Sequence, residues 1–193
     1  MAYKNWYDIL ISPLLSGLTK RIALHIEEGA SVLEVGCGTG ELASALHHKV
    51  LESYLGVDLA ANMIKAARGK VAHPNFTFIA DDFLKININS QFNYAVFSMI
   101  IHSVDEYLAN RLICKAKALS SMIVFADYLV PQPKGFKGFL VKLIERLAGK
   151  EHYTNFTYFK SLGGIDHFVR TNKLTIVKQL DYEVFRIVVT AVA

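Results

Sequence analysis

The stretch Ser31-Val32-Leu33-Glu34-Val35-Gly36-Cys37-Gly38-Thr39-Gly40-Glu41 decides the fold. Its first half is a compact, β-branched run, the pattern of a strand buried on both faces. It ends in glycines at alternate positions, where the backbone turns sharply and a ligand can approach without meeting a Cβ. A helical pattern begins at Glu41, so unpaired N–H groups of a helix start lie behind the loop. A glycine loop alone is a weak signal, and two acids sharpen it. Dinucleotide-binding loops place glycine at the sixth position, whereas this chain has Glu41, a poor neighbour for a pyrophosphate. Glu34 precedes the loop, and a carboxylate there suits a cationic group such as an amino-acid ammonium.

Working outward, strands alternate with helices. Helical patterns cover Glu41 to Val50, Ala60 to Gly69, Val104 to Leu119 and Gly135 to Ala148. Strand patterns cover Ser31 to Val35, Tyr54 to Val57, Phe76 to Ala80, Phe92 to Met99 and Met122 to Val130. That alternation predicts an α/β fold with a mostly parallel sheet and helices on both faces. Leu174 to Leu180 and Val184 to Val192 are strand-like and joined only by Asp181-Tyr182-Glu183, which makes an antiparallel hairpin. Upstream, Tyr7 to Glu27 is helical apart from a break at Pro13, and Gly29 stops it.

Asp58 closes the strand Leu55-Gly56-Val57-Asp58, 18 residues beyond Gly40. An acid about 20 residues past such a loop accepts from the two hydroxyls of a ribose. Asp81-Asp82-Phe83 follows the next strand, and an Asp there can accept from an exocyclic amine while an aromatic packs on a ring.

Glu34 to Gly40, Asp58 and Asp81-Asp82 resemble three ordered motifs of the class I S-adenosylmethionine-dependent methyltransferases. That resemblance runs from about Ser31 to the C-terminus. It implies a Rossmann-like seven-stranded, mostly parallel sheet with an antiparallel C-terminal hairpin. Residues 1–29 then form a helical cap on a core at 30–193 within one domain. It implies S-adenosyl-L-methionine as cofactor, bound by Glu34, Gly36, Cys37, Gly38, Gly40, Asp58, Leu59, Met63, Asp81, Asp82, Phe83, Ser98 and Met99. Glu34 would face the methionine amine, Asp58 the ribose, and Asp82 or Asp81 the adenine beside Leu59 and Met63. The chain departs from the family at Phe92-Asn93-Tyr94, where many members carry an acid. It also has no Asn-Pro-Pro-Tyr motif, which disfavours methylation of DNA adenine.

Ligands of open parallel sheets sit beyond the carboxyl ends of the strands. His102, which follows the fourth strand, is therefore the candidate general base, with Met99 and Ile100 nearby. Candidate acceptor contacts are Asp127 and Tyr128 in the fifth strand, His152 and Tyr153 before the hairpin, and Tyr7 in the cap. The expected function is methyl transfer to a small, apolar or amphiphilic acceptor. The alternatives are a non-catalytic S-adenosylmethionine-binding protein and an NAD-dependent oxidoreductase.

Composition fits this reading. The 193 residues are 52% hydrophobic, carry a net charge of +4 and show no block of like charges, so no nucleic-acid partner is expected. Cys37 and Cys114 stand far apart, outside any metal-ligand spacing, so no metal is expected and reduced thiols in a cytoplasmic protein are. No apolar run spans a membrane or reads as a signal peptide. Lys134, Lys137, Lys142, Arg146 and Lys150 read as the solvated face of an ordinary core helix. Peripheral contact with anionic lipid is the other reading. The oligomeric state is not legible.

Overall fold

The computed structural model describes residues 12–49 and 51–192, with side chains from Leu15 onward. The helix before Pro13 and the candidate contact Tyr7 therefore lie outside the described residues. Helix α1 (Ser12–Ala23) starts with Pro13 in its first turn, where proline's missing N–H costs nothing.

Seven strands form one sheet: β1 (Ser31–Val35), β2 (Ser53–Asp58), β3 (Phe76–Ala80), β4 (Phe92–Ser98), β5 (Ser120–Tyr128), β6 (Thr175–Tyr182) and β7 (Phe185–Ala191). Their order is β3-β2-β1-β4-β5-β7-β6. The first five are parallel, and β7 runs antiparallel to both neighbours, as the short connection demands. The order reverses between β1 and β4, which opens a crevice beyond their carboxyl ends. The helices are α2 (Glu41–Leu46), α3 (Ala61–Lys70), α4 (Glu106–Leu119), α5 (Phe136–Leu147), α6 (Lys150–Leu162) and α7 (Ile165–Thr171), with a 3-10 turn at Ile101–Ser103.

Central strands are buried along their length, Val32, Leu33, Ala95, Val96, Phe97, Val124 and Phe125 all at 0% exposure. Asn93 ties β4 to β1. Its Oδ1 accepts from the Ser31 N–H (2.7 Å) and hydroxyl (2.9 Å), and its N–H donates to Ser31 Oγ. Edge strand β6 is exposed from Thr175 to Gln179 and carries a register shift between Ile176 and Lys178, a device that discourages edge pairing. Arg186 fixes the hairpin, donating twice to Asp181 and once to Asp166 on α7.

Helix α5 departs from the expected ordinary core helix. Its buried face is Gly138, Val141, Ile144 and Glu145, while Phe136, Phe139, Leu143 and Leu147 are exposed. Gly138 selects that face, because a Cβ there would lie 2.1 Å from the Pro133 carbonyl oxygen. The short helix α7 was not anticipated. Its seven residues fall in a stretch to which the sequence reading assigned no element.

Candidate functional site

The glycine loop stands at the carboxyl end of β1, in the crevice. Gly36, Gly38 and Gly40 all have positive φ, at 73°, 50° and 76°. A Cβ on Gly36 would strike Ile100 Cδ1 at 2.2 Å, so the segment after β4 packs directly on the loop. Among the described residues, a Cβ on Gly38 would meet nothing within 4 Å. Glycine holds this left-handed turn without a Cβ and leaves room for a ligand to approach the loop.

Asp58 holds the loop in place. One carboxylate oxygen accepts from the Gly38 N–H (2.9 Å) and the other from the Ala60 N–H (2.8 Å). Beside it Leu59 is 77% exposed and Met63 39%, an uncovered apolar floor next to a half-buried acid. Each Asp58 oxygen keeps a free lone pair for a ribose hydroxyl. The loop, the acid and the apolar floor fit the adenosyl group of the expected cofactor. Glu41, exposed at the start of α2, pairs with Lys70.

Asp81 and Asp82 follow β3 at the same end of the sheet. Asp82 accepts from the Leu84 N–H, which with nearby Lys85 holds its carboxyl below the usual range. Phe83 is 4% exposed and lies in the core with the Lys115 ammonium over its ring, so Leu59 and Met63 are the apolar groups left to face a ligand. The Cys37 side chain is buried against Gly56, so Cys37 offers the cradle only its backbone.

Glu34 differs from the expected free carboxylate. It is 3% exposed and accepts from the Tyr54 hydroxyl on β2. Burial, reinforced by Asp58 and Glu41, pushes its carboxyl up to about 8 against the opposing Tyr54 hydrogen bond. The folded chain then keeps a proton that the unfolded chain sheds near its ordinary carboxylate value. Stability from this group is full below that value and falls as pH rises through 8, by about 1.4 kcal/mol per unit at the steepest. Urea unfolding at pH 5 and pH 8 without cofactor should show Glu34→Gln losing less stability than the wild type over this range. Parallel losses would refute the assignment.

Beyond β4 and β5 the structure gathers a second group. His102, in the 3-10 turn, is 2% exposed; its Nδ1 lies 2.6 Å from Asp127 Oδ1, and its N–H donates to Asp127 Oδ2. Asp127 also accepts from the Tyr128 N–H. The Tyr128 hydroxyl donates to Glu145 Oε1 of α5 (2.8 Å). Glu145 Oε2 lies 2.8 Å from His152 Nε2 of α6 and 3.6 Å from His102 Nε2. Burial works against an imidazolium at His102, but Asp127 and Glu145 outweigh it and raise its proton affinity. Glu145 is likewise held below its ordinary range, His152, His102 and Tyr128 outweighing its burial.

Four of the sequence candidates, His102, Asp127, Tyr128 and His152, thus meet at one point. Asp127 and Tyr128 are 1% and 5% exposed and serve there as supports rather than as surface for an acceptor. Tyr153 is half-buried beside His152. Asn155, one turn further along α6, donates to the Ser103 carbonyl and fixes the helix on the 3-10 turn. Ser98 and Met99 end β4 at the loop, Met99 with a left-handed φ of 59°. Glu145 was missed by sequence reading. Its signal was a lone acid in helical register with Val141, on the core side of α5.

Comparison with known proteins follows the same lines. The family model described as a methyltransferase domain matches residues 32–119. A carboxy-S-adenosyl-L-methionine synthase from Campylobacter hominis is 22% identical over 177 residues, covering 86% of this chain and 75% of that one. Among solved structures, the mitomycin 7-O-methyltransferase MmcR superposes with a TM-score of 0.70 at 15% identity over 93% of this chain, which spans 54% of its length. The magnesium protoporphyrin IX methyltransferase ChlM from Synechocystis, solved with bound SAH, gives a TM-score of 0.63 at 16% identity, covering 94% of this chain and 83% of that one. Residues 32–119, just under half of the chain, match the methyltransferase-domain model, and the chain as a whole shares its fold with these solved methyltransferases. Among the described residues, no helix is long and apolar enough to cross a membrane.

Proposed function

We propose that the chain transfers a methyl group from S-adenosylmethionine to a small, apolar or amphiphilic acceptor held over the ends of β4 and β5. The observation that carries this reading is the placement of the open glycine cradle, Asp58 and the His102 group at one end of the sheet. The bound cofactor supplies a methyl on a sulfonium that leaves by in-line displacement, so the chain's tasks are to position and to exclude water. Asp58 accepts from the ribose hydroxyls while holding Gly38. Leu59 and Met63 give the adenine an apolar seat, with Asp82 or Asp81 at its amine. Ser98 and Met99 line the passage between the two halves of the site.

Both nitrogens of His102 face carboxylates, so its part is to hold Glu145 and Asp127 in place. The half-exposed His152, paired with Glu145, is the group that an acceptor meets. The printed names of MmcR and ChlM describe enzymes of small organic acceptors, which supports an acceptor of that kind. Exposed Glu41 at the α2 start speaks against a dinucleotide.

The test is calorimetric titration with S-adenosylmethionine, S-adenosylhomocysteine and NAD, followed by mass spectrometry of an acceptor screen for a gain of one methyl. Saturable binding of the sulfur compounds and a methylated product are expected. Binding of NAD alone would reject the reading, and cofactor binding without any product would leave a binding protein.

A further inference from the structure

We propose that His102 Nε2, Glu145 Oε2 and His152 Nε2 form a binding site for a divalent transition-metal ion of the zinc type. The three ligand atoms lie within 4.8 Å of one another. Zinc binds nitrogen and oxygen at about 2.0–2.2 Å in a tetrahedron, which sets its ligands a little over 3 Å apart. Two of the pairs, at 2.8 Å and 3.6 Å, fall on either side of that spacing. Two histidines and one glutamate make a three-ligand set that leaves a fourth position open for water or an acceptor heteroatom.

The surroundings are those of a built site. Metal-binding histidines give their other ring nitrogen to a carboxylate, which fixes the tautomer and turns the lone pair toward the ion. Asp127 meets His102 Nδ1 in this way. The Tyr128 hydroxyl occupies Glu145 Oε1 and leaves Oε2 to converge with the two imidazoles. Among the described residues, Glu145 Oε2 is a buried carboxylate oxygen whose nearest partners are the two imidazoles, His152 Nε2 at 2.8 Å and His102 Nε2 at 3.6 Å. A buried carboxylate oxygen set between two imidazole nitrogens is well placed to share a cation with them.

Charge points the same way. Asp127 and Glu145 are 1% and 3% exposed, and among the described residues no Lys or Arg forms an ion pair with either. Lys160 acts on Glu145 only through space, its ammonium resting on the Phe156 ring. Two buried carboxylates facing two imidazoles attract a cation. His152 is half-buried, which gives an ion a path from solvent.

The inference rests on this cluster and not on methyl transfer, so the two readings fail separately. Tag-free protein, stripped with chelator, is titrated with zinc(II) by calorimetry and with cobalt(II) by visible absorption. One equivalent of zinc is expected to bind with a micromolar or tighter Kd, and cobalt to give the intense bands of a four-coordinate site. His152→Ala alters a half-exposed side chain, and Glu145→Gln keeps the shape and the oxygen that meets Tyr128. Each should weaken zinc by at least about 100-fold while the fold, read by circular dichroism, persists. Less than one-fifth of an equivalent bound, or equal binding by wild type and both variants, overturns the proposal. Affinity for S-adenosylhomocysteine is measured on the same samples: zinc bound without it rejects the methyltransferase reading alone, and the reverse rejects the metal site alone.

Discussion

Replacing Asp58 with alanine is expected to weaken S-adenosylhomocysteine binding by at least about 100-fold and to lower the thermal midpoint by several degrees. Two effects add. Asp58 accepts from Gly38 and Ala60, and a hydrogen bond to a charged group is worth about 1.5–3 kcal/mol. The same carboxylate is the proposed partner of the ribose, so the variant loses a ligand contact and the support of the loop that makes the others. Asparagine offers little rescue, because its amide nitrogen cannot accept from the second N–H. Calorimetry and thermal unfolding on the same sample measure both parts. An affinity within threefold of wild type would remove Asp58 from the site.

The second large effect separates two glycines of one loop. Gly36→Ala places a Cβ 2.2 Å from Ile100 Cδ1 and 2.6 Å from its Cγ1, at a φ of 73°. Overpacking costs about 1–3 kcal/mol and the left-handed backbone about 1–2 kcal/mol more, so the fold should lose about 2–5 kcal/mol. Gly38→Ala meets no atom within 4 Å and carries only the backbone strain of a φ of 50°. Its stability should fall by about 1–2 kcal/mol, yet its affinity for the cofactor should drop at least about tenfold, because the added methyl fills the cradle. Urea unfolding and calorimetry give the two axes. A Gly38→Ala protein that binds as well as wild type would mean that the ligand does not pass over this residue.

The parallel half of the sheet was readable because its strands are apolar runs, three of them cut off by glycine or aspartate and β5 closed by Pro131. Hydrophobic period and turn residues sufficed for β1 to β5, and the brevity of the Asp181–Glu183 connection sufficed for the hairpin. Helix α5 was misjudged because it is apolar on two sides. Periodicity shows that Phe136, Phe139 and Leu143 share a face with one another, but not that this face is turned outward. A steric detail at Gly138 makes that choice. The contact of Asp58 with the glycine loop was legible for the same local reason: Asp58 follows the loop by one strand. The His102 group was legible only in pieces, since 43 residues separate His102 from Glu145, and nothing in the spacing says that a helix returns a carboxylate to a strand end. Glu34 was seen, but its partner was not, because Tyr54 reaches it from the neighbouring strand.

The sheet is also completed from its middle. Strand β7, the last in chain order among those described, sits between β5 and β6, and Thr190 pairs with Ile123 across 67 residues of sequence. Until that loop closes, β5 is an unpaired edge, and the Asp127 that steadies His102 sits on it, opposite Arg186. Closing so long a loop costs chain entropy before any contact repays it, and distant pairings of this kind set slow folding rates. The β3-β2-β1-β4 half can therefore assemble first, while the apolar flank of β5 stays open to wrong partners. Refolding should be rate-limited by docking of the hairpin, and the His102 cluster should be the last part of the molecule to take shape.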